Sequence, residues 1–97
     1  MKTERALQRY LKDQCTKLGV LFHKLESRTA RGFPDVFMVY DGRVILVELK
    51  SPRGTGKLSK LQARCINNLR LQGLIVVVAA SKAEVDKAID LVMGRVC

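Results

Sequence analysis

FPDVFMVYDGRVILVELK, residues 33–50, is the stretch whose reading decides the fold. Phe33-Pro34-Asp35 opens an apolar segment, Val36 to Tyr40. A second apolar segment ends in Glu48-Leu49-Lys50. Only Asp41-Gly42 joins them, the signal for a tight type I′ hairpin turn. In the second strand Val44, Leu46, Glu48 and Lys50 share one face, and Ile45, Val47 and Leu49 share the other. An antiparallel pairing set by that turn lays the start of the first strand beside the end of the second. Asp35 and Glu48 become neighbours, with Lys50 next to them.

Taken singly, each feature has a bland reading. Glu48 and Lys50 fit a solvated strand end, and Pro34-Asp35 fits ordinary turn chemistry. Together they converge at one point, and charges seldom end so apolar a strand without a reason. Two adjacent carboxylates repel unless a cation lies between them or one is protonated. Oxygen ligands beside an amine suit a hard divalent ion such as Mg²⁺.

Working outward, Thr3 to about Leu18 reads as a helix. Its seam is Glu4, Leu7, Leu11, Gln14 and Leu18, its stop is Gly19, and Arg5, Arg9 and Lys12 form a basic stripe off the seam. Val20 to Leu25 reads as a first strand, and Glu26 to Gly32 as a polar, basic loop. After the hairpin, residues 51–57 form a basic linker. About Leu58 to Gln72 reads as a second helix closed by Gly73. Leu74 to Ala80 has the continuous β-branched pattern of a buried strand. Ser81-x-x-Glu84 is a capping box that opens a last helix with Val85, Ala88, Ile89 and Val92 on its buried side. The order α-β-β-β-α-β-α, with one strand–helix–strand crossover, predicts a mixed sheet with helices on both faces.

Ninety-seven residues make one domain, spanning 1–97. A domain of this size buries roughly 60–65% of its unfolded surface. Eighteen Lys and Arg against nine Asp and Glu give a net charge of +9, which points to a polyanion, with nucleic acid ahead of a membrane surface. No apolar run reaches the ~18 residues of a membrane-spanning helix. Cys15, Cys65 and Cys97 show no metal or disulfide spacing, which fits a reduced, cytoplasmic location; Cys15 and Cys65 read as packing residues. Gly54-Thr55-Gly56-Lys57-Leu58-Ser59 has the wrong spacing for a phosphate loop, so no nucleotide cofactor is expected. His23 and Tyr10 read as structural.

The pattern resembles the PD-(D/E)xK nuclease superfamily, which pairs a Pro-Asp with a later Glu-x-Lys. More narrowly, Gly32-Phe33-Pro34-Asp35, Val47-Glu48-Leu49-Lys50 and a following helix with Leu61-Gln62 look like the virus-type replication-repair nuclease (VRR-NUC) domain in its stand-alone form. That resemblance implies a restriction-endonuclease-like α/β core, αβββαβ(α). It also implies a Mg²⁺- or Mn²⁺-dependent endonuclease acting on DNA. Stand-alone members are similar to dimeric Holliday-junction resolvases of recombination and repair, so a homodimer on branched DNA is expected. A flap or nicking nuclease, and a non-catalytic nucleic-acid-binding module, are the alternatives.

Carried onto this sequence, the resemblance makes Asp35, Glu48 and the Leu49 carbonyl metal ligands and Lys50 the catalytic lysine. Glu4 matches the family's helical acidic residue, as a ligand or through water. Its seam position beside Leu7 and Leu11 points it inward, while a first-turn glutamate favoured by the helix dipole is the alternative. Gln62 has two readings. Ser59-x-x-Gln62 is a capping box, and Gln62 also lies in the stripe of Leu58, Ile66 and Leu69, where a buried amide needs a partner. The family match favours an active-site role. Arg5, Arg9, Ser27, Arg28, Arg31, Arg53, Lys57 and Lys60, with Arg64, are the expected DNA contacts. For a dimer interface, the apolar side of the last helix or the edge of the hairpin is the expectation.

Overall fold

The structure is a computed structural model that describes residues 3–26, 32–52 and 57–95. Seven elements follow the expected order: α1 (Glu4–Leu18), β1 (Leu21–Lys24), β2 (Val36–Tyr40), β3 (Arg43–Leu49), α2 (Lys60–Leu71), β4 (Ile75–Ala79) and α3 (Lys82–Met93). The strands form one mixed sheet in the order β1-β2-β3-β4. Its first two pairings are antiparallel and the last is parallel.

The hairpin sets the register. Asp41 and Gly42 both adopt positive φ, 49° and 77°, the requirement of a type I′ turn, and Tyr40 pairs with Arg43 across it. From there the ladder runs unbroken to Val36 opposite Val47. One further step places Asp35 opposite Glu48.

Strand alternation then sorts the core into two layers. Val36, Met38, Ile45, Val47 and Leu49 bury against Leu7, Leu11 and Cys15 of α1 and Val85, Ala88, Ile89 and Val92 of α3. On the opposite face Leu46 and Val76 bury against Ile66 of α2, with Phe33, Phe37, Leu58 and Leu69 packed around them. Helices therefore cover both faces of the sheet. Each begins with a hydroxyl cap: Thr3, Ser59 and Ser81 accept from the amides of Ala6, Gln62 and Glu84. Glu84 reaches back one residue further than a capping box does, accepting from the Ala80 amide.

Three expectations need correction. Leu74 to Ala80 reads as a buried strand, but β4 is an edge strand. Among the described residues nothing pairs beyond it, and Leu74 and Ile75 are 37% and 49% exposed. A Val-rich run looks the same whether one or both flanks are covered. Cys65 is only half-buried on the outer side of α2, unlike Cys15, which is fully buried beside Met38. The interface expected on α3 or the hairpin edge is not available either. The apolar side of α3 fills the domain's own core, and β1 and β4 cover both sides of the hairpin. Among the described residues, no helix is long and apolar enough to cross a membrane.

Candidate active site at the end of the hairpin

Extensions of the sheet ladder hold the acidic motif in place. The Leu25 amide donates to the Asp35 carbonyl at 2.7 Å, continuing the β1–β2 pairing past its last paired residues. The Lys50 amide donates to the Ala79 carbonyl at 2.9 Å, continuing β3–β4. Asp35 also accepts at Oδ2 from the Leu49 amide, 3.0 Å away. Backbone on both sides thus fixes Asp35 and Lys50, and Pro34, itself buried, fixes the approach to Asp35.

Glu48 is the most unusual residue of the domain. It is a carboxylate only 2% exposed. Its Oε2 accepts from Gln62 Nε2 at 3.0 Å and forms an ion pair with Lys50 Nζ at 3.4 Å. Its Oε1 is buried with no hydrogen-bond partner. Burial pushes the carboxyl up to about 7. Asp35 and, more weakly, Glu4 add to that by repulsion, and Lys50 opposes it.

Gln62 closes the group. The Ser59–Gln62 capping box forms, and the same Gln62 Oε1 that accepts from the Ser59 amide at 3.0 Å also accepts from Lys50 Nζ at 2.9 Å. The two readings of Gln62 are one geometry: the capping contact aims the amide so that its other end reaches Glu48.

Glu4 corrects one expectation. It is exposed rather than buried in the α1 seam, because the seam runs off the sheet at the first helical turn. It lines an open cavity of about 250 Å³ together with Arg5, Gln8, Lys24 and Asp35. Among the described residues, no group of three or more carboxylate, His or Cys side chains gathers closely enough to hold a metal ion. Asp35 and Glu48 therefore face each other as a pair, with Glu4 across the cavity. Of the expected nucleic-acid contacts, Arg5 and Arg9 lie on exposed α1, and Lys57, Lys60 and Arg64 lie at or near the start of α2. Ser27, Arg28, Arg31 and Arg53 lie outside the described residues.

The remaining donors fit a divalent cation. A buried carboxylate oxygen without a partner, beside a second carboxylate, is a site for positive charge, and both groups are hard oxygen donors. With two carboxylates and, among the described residues, no third side chain, an ion there would keep several waters, as Mg²⁺ does.

The VRR-NUC domain profile matches residues 2–83, most of the chain. The chain belongs to the VRR-NUC family. A solved structure named as a VRR_NUC domain superposes with a TM-score of 0.81 at 32% identity, covering 93% of this chain and 97% of that one. A second, named as a VRR_NUC domain protein, gives 0.80 at 18% identity, covering 97% and 90%, and shares the fold. No protein with a curated description matches significantly. Membership of the VRR-NUC family makes this a nuclease-type module that acts on nucleic acid. Most of α3 lies beyond the matched profile, yet its apolar side completes the layer over β2 and β3.

Sequence reasoning gave no role to Gly32 or Lys24. Lys24 ends β1 and lines the cavity beside Asp35. Gly32 has φ +82°, and a Cβ there would sit 2.9 Å from the Leu61 carbonyl oxygen and 3.1 Å from the Gln62 amide nitrogen. Only glycine lets the Pro-Asp loop touch the first turn of α2. Its signal in the sequence is its place at the head of the Gly32-Phe33-Pro34-Asp35 motif.

Two outcomes follow. Gly32→Ala strains φ and pushes on the α2 backbone, so stability should fall by about 1–3 kcal/mol. The Gln62 side-chain amide resonance should also move as its bond to Glu48 loosens, which NMR would read. The second concerns pH. The folded pKa of Glu48 lies above its ordinary value near 4.5. The folded state therefore binds more protons, and metal-free stability falls as pH rises from about 5 to 8, by an amount on the order of 1–3 kcal/mol. Glu48→Gln should flatten that dependence in chemical denaturation in EDTA. An unchanged slope would mean that Glu48 is not the group responsible.

Proposed function

We propose that this protein is a metal-dependent DNA endonuclease that hydrolyses phosphodiester bonds in branched DNA, in the manner of a junction resolvase. The observation that supports it most is the buried Glu48, with one oxygen unpartnered and with Asp35, Lys50 and Gln62 arranged around it. A net charge of +9 supplies affinity for a polyanion.

Asp35 and Glu48, with the Leu49 carbonyl, would hold Mg²⁺ or Mn²⁺, and Glu4 would act through water. When bound, the ion supplies Lewis acidity to the phosphate and lowers the pKa of a water. Every other part is the chain's own. Gln62 fixes Lys50 Nζ, leaving ammonium protons free to hydrogen-bond a phosphate oxygen. Lys50 then faces the charge that builds on the phosphorane-like transition state, and it is already oriented when that charge appears. Asp35 stays aimed because the Leu49 amide holds one of its oxygens.

A junction needs two matched incisions, and a two-fold dimer would present two such sites symmetrically. The surface that supports pairing is the open edge of the sheet. Leu71, Leu74 and Ile75 stand there 76%, 37% and 49% exposed. Arg70 already occupies the Val76 carbonyl through Nε and Nη2, at 3.2 and 2.7 Å. Contact at this edge would therefore run through side chains rather than by adding a strand.

Asp35→Asn, Glu48→Gln and Lys50→Ala should each lower cleavage about a thousandfold while most DNA affinity remains. The assay is a labelled panel of four-way junction, flap, single strand and linear duplex, with Mg²⁺ and with EDTA. Cleavage in EDTA, or an active Glu48→Gln protein, would overturn the metal mechanism. For assembly, light scattering should give twice the 10.9 kDa chain mass, and Leu74→Glu with Ile75→Glu should return it to a monomer. A wild-type monomer that cuts junction and linear duplex equally would favour a nicking or flap enzyme.

A further inference from the structure

The cavity beside Asp35 does not end at the acidic group. It is lined by Arg5 and Gln8 of α1 and by Lys24 of β1, together with Glu4 and Asp35. Arg5 and Gln8 also line a second open cavity of about 490 Å³, whose other walls are Arg9, Lys12 and Asp13. The two hollows share Arg5 and Gln8 as a wall and lie side by side along α1, and together they are called the α1 groove.

We propose that Arg5, Gln8 and Lys24 form a subsite for the phosphate next to the scissile one, and that Arg9 and Lys12 carry the same strand further along α1. The inference deepens the nuclease reading and rests on it. Three observations support it. First, the groove starts at the proposed site of chemistry, since Asp35 is part of its wall. Second, its donors suit phosphate: a guanidinium and an ammonium for charge, and an amide for a neutral hydrogen bond. Third, its length suits a strand. Arg5 to Lys12 spans about 10 Å at ~1.5 Å per residue, room for more than one phosphate of a backbone.

The fold also gives the groove a side. α1 packs on one face of the sheet and α2 on the other, with the acidic group at the sheet's end between them. A strand crossing that end has the α1 groove on one flank and Lys57 and Lys60, before and at the start of α2, on the other. The α1 groove therefore contacts phosphates on only one side of the cut.

Single methylphosphonates test this, because each removes the charge of one phosphate. They are placed at the two positions either side of the mapped cut in a synthetic four-way junction. In the wild type, the neutral linkage adjacent to the cut on one side should lower kcat/KM about tenfold. Arg5→Ala and Lys24→Ala, both at exposed positions, should each lower it comparably on unmodified DNA. In those variants the same methylphosphonate should cost little more. Additive losses at every position, or variants that cut like wild type, would overturn the subsite. Wild-type cleavage of unmodified DNA separately tests the nuclease reading. If the wild type cuts nothing, anisotropy of the same fluorescein-labelled junction in Ca²⁺ decides: each variant should reduce the slope of log affinity against log salt by about 0.9. Unchanged slopes would reject the groove as a nucleic-acid track.

Discussion

The buried carboxylate of Glu48 is the constraint around which the domain is arranged. Taking a charged group out of water is costly unless it is paired or neutralised. Here it is only partly compensated. Gln62 and Lys50 serve one oxygen, and the other has no partner. The carboxyl answers by holding its proton to about pH 7. A fold optimised for stability alone would place an apolar residue there, since Leu46 and Leu49 show that the neighbouring positions accept one. Retaining a costly group at a strand end is what a binding site does. A bound cation, as proposed, would cancel the deficit and so link metal affinity to the stability of this corner.

That arrangement depends on contacts at widely different sequence separations. The hairpin is local: Asp35 and Leu49 are fourteen residues apart, yet one two-residue turn sets the register that brings them together. The α2 contribution is not. Gln62 reaches the site because Ser59 caps the helix, because Ile66 and Leu69 seat it on Leu46 and Val76, and because Gly32 leaves room for its first turn. Arg70 ties the far end of α2 to the β4 backbone. The position of one amide thus integrates a cap, a small core layer and a close backbone approach.

These separations explain what could be read from sequence. Period-two alternation and Asp41-Gly42 give the register, so the convergence of Asp35, Glu48 and Lys50 is legible without coordinates. Gln62 satisfies two sequence rules at once, and sequence offers no ground for seeing that both operate through the same oxygen. Gly32 and Lys24 could not be assigned, because their roles are set by elements distant in sequence or across a strand. The exposure of Glu4 turns on where the helix runs off the sheet edge, and helical periodicity cannot reveal that. The misreading of β4 has a similar origin, since hydrophobic pattern reports a preference for burial and not the number of neighbouring strands.

Family membership and local geometry answer different questions about this protein. The VRR-NUC profile and the 32%-identical structure establish the kind of module. Substrate shape is a property of the surface around that motif. The chemical group lies at the end of the sheet, where helices from opposite faces both present cations. A nucleic-acid strand crossing there meets positive charge on both flanks and two carboxylates at the centre. Such a charge order favours binding near the site while repelling a phosphate from the acids themselves. A cation between the carboxylates, as proposed, would remove that repulsion where a scissile phosphate would sit. On the proposed metal-dependent reading, metal occupancy would set the depth at which the strand is held as well as its reactivity, and affinity without metal would reflect chiefly the basic flanks.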